Sequence, residues 1–143
     1  MSLVSLVYVS VSSSLMNDDE LRQLLAKCRE NNQKLDVTGM LLYKDGLFIQ
    51  TLEGEAGVVA NLYDKIAQDP RHYNILKVYQ DQISVRSFPN WTMGFNKLPE
   101  VEPVGQSWEG YTDFLAQPHP EYFMEHPDRA RALLESFKDS IYF

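Results

Sequence analysis

The stretch LVSLVYVSVS at residues 3–12 is apolar or β-branched at almost every position. Side chains on a strand alternate between its two faces. A strand that is apolar on both faces must be covered on both, so this segment reads as an interior strand of a sheet buried from either side. The rest of the chain must then supply two covering layers.

The first helix announces itself clearly. Asn17 is placed to be an N-cap, Glu20 falls at N3, and Met16 and Leu21 are spaced for a hydrophobic staple. Leu21, Leu24, Leu25 and Cys28 follow at i, i+3, i+4 and i+7, one apolar stripe on which Cys28 reads as a small core residue. The stretch NNQKLDVTG ends the helix. Residues 37–54, VTGMLLYKDGLFIQTLEG, read as two strands joined at Asp45-Gly46, a dipeptide suited to a tight hairpin. Residues 56–70 form a second amphipathic helix with Val59, Leu62, Tyr63 and Ile66 on its stripe, stopped by Pro70. Residues 74–84 and 90–98 read as a fourth and a fifth strand.

The order β-α-β-β-α-β is that of the ferredoxin-like motif, an α+β arrangement, here with an extra strand giving a five-stranded mixed sheet. Two helices on one face leave the other bare. The tail supplies a cover: Trp108, Tyr111, Phe114 and Leu115 point to a short helix, and Ala130, Leu133, Leu134, Phe137 and Ile141 make the stripe of a final one. Residues 1–98 are therefore expected to form the domain. Residues 99–143 are expected to be a helical extension packed on its sheet, too short to fold alone.

Composition narrows the function. The 143 residues carry a formal net charge of −7, which argues against nucleic acid as a partner, because phosphate binding wants a basic face. No apolar run reaches the roughly eighteen residues of a membrane span, and the start of the chain lacks the pattern of a secretory signal. One cysteine excludes an internal disulfide framework and fits a reducing, cytoplasmic setting. His72, His119 and His126 lack metal-ligand spacing, and there is no glycine-rich phosphate loop.

What remains is a set of polar residues on apolar faces. Alternation places Gln50 on a strand face with Phe48 and Leu52, and Tyr8 on a face with Leu6. Asn31 and Asn32 continue the apolar stripe of the first helix, seven residues after Leu24 and eleven after Leu21. Each has a plain alternative: an exposed glutamine, a tyrosine with an ordinary partner, two helix caps. Lys65, Asp69 and Arg71 cluster at the end of the second helix, where a solvated terminus is the plain alternative. If the helices cover the Tyr8/Gln50 face, a phenol and three amides converge in a mostly apolar pocket, the usual make-up of a cofactor site. Carboxamides offer both a donor and an acceptor, which suits a flat ring with alternating polar edges.

With these residues in view, the segments LVYVS, NNQKLDVTGMLLY, GLFIQTLEG, DPRHYNI and RSFPNWTMGF resemble, in joint order and spacing, the BLUF domain of blue-light sensors that use FAD. The resemblance covers roughly residues 3–97, and the whole chain is similar to short stand-alone receptors of the PixD type. It implies a ferredoxin-like sheet with the flavin ring between the two core helices. It implies that Tyr8 is the photoactive electron donor and Gln50 the switching amide between Tyr8 and the flavin. Asn32 and Asn31 would line the flavin's pyrimidine edge, with Arg71 near its O2 and Lys65 and Asp69 approaching the same edge. Trp91 and Met93 match the fifth-strand pair that passes the signal on. On this reading the chain is not an enzyme. It signals to a protein partner in a light-dependent way, as with a response-regulator-like effector, and forms homo-oligomers. Two other readings stand beside it: a small acylphosphatase-like hydrolase, for which YVSVSSSLMNDD offers no basic residue, and a flavin-free interaction module. Colour separates them, since only the first requires a yellow protein.

Overall fold

Strand β1 (Leu3–Ser12) lies between two neighbours and is buried from Val4 to Ser10. The computed structural model of the protein describes residues 2–44, 46–90, 92–97 and 121–136. In chain order β1 is followed by α1 (Asp18–Leu35), β2 (Thr38–Lys44), β3 (Leu47–Glu55), α2 (Ala56–Ala67), β4 (His72–Gln82) and β5 (Gly94–Lys97). Two tail helices follow, α3 (Glu121–Glu125) and α4 (Pro127–Ser136). The sheet order is β4-β1-β3-β2-β5. All pairs are antiparallel except β2 with β5, which makes the five-stranded sheet mixed and α+β as expected.

Local chemistry explains the element ends. The Asn17 side chain accepts from Glu20 N–H while Glu20 reaches back to Asn17 N–H, a complete capping box. The helix ends within NNQKLDVTG, as expected: it runs to Leu35 and closes at Asp36, whose left-handed φ of 54° lets its N–H reach the carbonyls of Asn32 and Gln33. The hairpin turns through Gly46 at φ 88°, a value that favours glycine; Asp45 lies outside the described residues. β4 begins two residues earlier than periodicity predicts, and β5 is shorter, starting at Gly94 rather than at 90. The two helices sit on one face over Val4, Leu6, Tyr8, Phe48 and Leu52.

The opposite face is covered by the tail. Phe123, Ala130, Leu133 and Leu134 pack on Val7, Val9, Met40, Leu42 and Ile49. Each fully buried leucine there contributes roughly 2 kcal/mol. Arg131 ties α4 to β4, bonding Asp81 Oδ2 at 2.5 Å and Tyr79 Oη at 3.2 Å, with its guanidinium 4.5 Å from the Tyr79 ring. Phe137 and Ile141, and the proposed helix bearing Trp108, Tyr111, Phe114 and Leu115, lie outside the described residues. On the same face Glu53, 1 % exposed, accepts from the N–H groups of Ser87 and Phe88 at 2.9 and 2.8 Å. Burial nonetheless pushes its carboxyl up.

Candidate functional site

Tyr8 and Gln50 stand directly opposite each other in the β1–β3 register. Cross-strand partners share a face, and this pair shares the helix-covered one, each residue 4 % exposed. The Tyr8 hydroxyl donates to Gln50 Oε1. At the other end of the amide, Nε2 donates to Met93 Sδ at 3.3 Å. A phenol proton needs an acceptor, so this pairing sets the amide with its carbonyl toward Tyr8 and its NH2 toward the thioether. The acceptor on the second side is a weak one. Burial pushes the Tyr8 phenol well above its ordinary value, and Cys28, Tyr63 and Asp69 add to the shift.

These two side chains form part of the wall of a cleft between α1 and α2. Leu24, Ile66, Leu41 and Phe48 give it apolar surfaces, and Asp69, Arg71 and His72 give it a polar one. An overlapping hollow of about 240 Å³ shares Gln50, Asp69 and Arg71 and adds Asn31, Asn32 and Lys65. Tyr8, Gln50, Asn31, Asn32, Lys65, Asp69 and Arg71 thus line two overlapping hollows of one interhelical region. Met93 joins through Gln50, one residue before β5 rather than within it. Trp91 lies outside the described residues.

Neither asparagine is a helix cap. Asn32 is buried and its Nδ2 donates to the Thr92 carbonyl at 2.7 Å, while Asn31 is exposed at the cleft's edge. Cys28 lines the cleft instead of joining the packed core, and burial raises its thiol. Two residues carried no sequence signal. Arg29 donates from Nε to the Met93 carbonyl at 2.9 Å. His72 lies 6.4 Å from the Tyr8 ring. Its Nε2 is 2.6 Å from the Ile66 carbonyl and so carries a proton; Nδ1 pairs with Ser10 Oγ at 2.9 Å. Among the described residues no cluster could hold a metal ion, and no helix is long and apolar enough to cross a membrane.

The charged wall is an ion pair. Arg71 Nε lies 3.0 Å from both Asp69 carboxylate oxygens, and Nη2 lies 2.5 Å from Oδ2. Hydrogen bonding to Arg71 holds the Asp69 carboxyl down at about 2, against an ordinary 3.8. A depressed carboxyl contributes stability above its unfolded value and loses it as pH falls through its folded one. The stability difference between wild type and Asp69→Asn should therefore be flat from about pH 5 to about pH 8. It should shrink only between 3.8 and about 2. Arg71 is half exposed, so the plateau should stay below about 1 kcal/mol. Urea midpoints of the two proteins across pH measure this; a difference that moves between pH 5 and 8 would count against the pair.

A protein-family model described as "Sensors of blue-light using FAD", named BLUF, matches residues 3–94. The photoactivated adenylate cyclase subunit beta of Euglena longa is 40 % identical over 93 residues, which is 64 % of this chain and 11 % of that protein. The chain spans about a tenth of the length of the curated relatives first matched. Among solved structures, BlsA in its photo-activated state superposes with a TM-score of 0.74 at 29 % identity, covering 96 % of each chain. BlrB, described as a BLUF protein in its dark state, superposes at 0.70 and 28 % identity, covering 92 % of this chain and 96 % of that one.

Proposed function

The chain belongs to the BLUF family of blue-light sensors that use FAD, and from that premise we propose that Tyr8 and Gln50 are its photoactive pair. The observation that carries this is the hydrogen bond from the Tyr8 hydroxyl to Gln50 Oε1 in the wall of an interhelical cleft. The donor set there fits a flavin. Apolar side chains would face a flat ring, and amides at Gln50, Asn31 and Asn32 would suit an edge with both donors and acceptors. Asn31, Asn32, Gln50 and Arg71 would hold the ring, with Lys65 and Asp69 beside them.

When bound, the flavin supplies the blue-light absorption and a reversible one-electron, one-proton exchange partner. The protein side follows from burial. A phenol whose acidity is suppressed by desolvation does not give up its proton beforehand, so at Tyr8 electron and proton must leave together or in quick succession. Gln50 Oε1 already accepts that proton's hydrogen bond, which makes it the first station for it. Once electron and proton have returned to Tyr8, the amide can be left turned or tautomerised, presenting a different end to the ring. A side chain with one donor end and one acceptor end stores this change; an apolar one of the same bulk cannot.

The output is read as contact with a protein partner of response-regulator-like or other effector type, by a homo-oligomer and without catalytic turnover. Met93, in contact with Gln50 and next to β5, is the first relay on this reading, with Trp91 beside it in sequence. The cyclase activity named for the Euglena protein belongs to that much longer protein. The test is an absorption spectrum of the purified protein in the dark and after blue light. A flavin spectrum with a small reversible red shift is expected. A colourless protein that FAD cannot reconstitute would overturn the assignment of this cleft.

A further inference from the structure

Two side chains of α1 grip consecutive carbonyls of the segment that enters β5. Arg29 Nε donates to the Met93 carbonyl at 2.9 Å, and Asn32 Nδ2 donates to the Thr92 carbonyl at 2.7 Å. The two are three residues apart and so share a helix face. The next residue, Gly94, is already paired with Met40 of β2. Met93 is thus held from α1 through its own carbonyl and from β2 through its neighbour. Its side chain, 1 % exposed, meets the Gln50 amide.

We propose that Arg29 is a positioning residue of the photocycle, which with Asn32 clamps the Met93 backbone and so keeps the thioether against Gln50. The proposal rests on the reading of Gln50 as the switching amide. In the arrangement described, an N–H faces the sulfur. An amide turned end for end would face the sulfur with Oε1, acceptor against acceptor. An unheld segment would relieve that opposition by drawing back. A clamped one cannot, so the clamp penalises the turned amide and hastens its return. Arginine suits the task because its guanidinium is charged at every working pH and makes a charge-assisted bond to the carbonyl.

The experiment uses the full chain loaded with FAD and follows decay of the red-shifted absorption in the dark. Arg29→Met keeps the stem and removes the donors; recovery should slow by about tenfold, the rate equivalent of one such hydrogen bond. Arg29→Lys, which retains a charged donor, should fall between this variant and wild type. In a Met93→Ala background, Arg29→Met should add no further slowing, because the sulfur it positions is gone. A merely structural role for Arg29 would slow recovery equally in both backgrounds, and that result overturns the proposal, as does an Arg29→Met protein recovering at the wild-type rate. A wild-type protein that binds FAD but shows no red shift would instead overturn the reading of Gln50 itself.

Discussion

Tyr8→Phe is expected to bind FAD, keep its fold and show no red-shifted state after blue light. Phenylalanine fills the same space on β1, so the packing against Tyr63, whose ring centroid is 5.6 Å away, survives. What disappears is the one hydroxyl that donates to Gln50 Oε1. Leaving that buried carbonyl without its donor costs about 1–3 kcal/mol, which a domain of this size can absorb. The functional loss should be complete, because no substitute electron and proton donor stands in the cross-strand position. Gln50→Leu should give the same silent spectrum by removing the amide and leaving the phenol. Difference spectra after illumination decide the matter. A normal red shift in either variant would mean that the photochemistry does not run through this pair.

The largest effect on stability is expected at Gly39, in β2. A Cβ there would lie 2.0 Å from the backbone oxygen of Thr51 and 3.0 Å from its carbonyl carbon. Those atoms belong to β3 and cannot swing aside as a side-chain tip can. Gly39→Ala must push β2 away from β3 at the centre of the sheet, at a cost of about 3 kcal/mol or more. The same Cβ would come within 3.4 Å of Met93 Cε, so a folded remnant should also show a disturbed photocycle. Urea denaturation with the flavin bound measures the first effect. A midpoint equal to wild type would show that the strands accommodate the methyl group after all.

The parts of this molecule that obey a period were legible in its sequence. The two faces of β1, the capping box at Asn17 and Glu20 and the hairpin that turns at Gly46 all follow from local rules, and so does the place of Tyr8 and of Gln50 on an apolar face of its own strand. Their direct opposition needed the strand register, which alternation alone does not set. The end of α1 within NNQKLDVTG was legible, but not which residue closes it: Asp36 is the cap, and Asn32 serves a tertiary carbonyl. Arg29 was invisible for a related reason. Its acceptor is a main-chain oxygen 64 residues away, and main-chain oxygens carry no sequence signature. Cys28 followed the helical period faithfully, yet the stripe it sits on faces a cleft at that point and not a filled core.

Glutamine 50 has chain neighbours that face the other way. Ile49 packs in the cluster that seats the tail helices, and Thr51 pairs its hydroxyl with Ser5 at 3.3 Å. A single peptide unit therefore separates the side chain that meets Tyr8 from the side chains that meet the far layer. Interiors packed this densely do not deform on one side only. Any tilt or slide of β3 that accommodates a new amide posture is shared at once by both surfaces of the sheet. In this architecture the thickness of one strand is all that lies between the Tyr8–Gln50 pair and the face on which the tail helices sit.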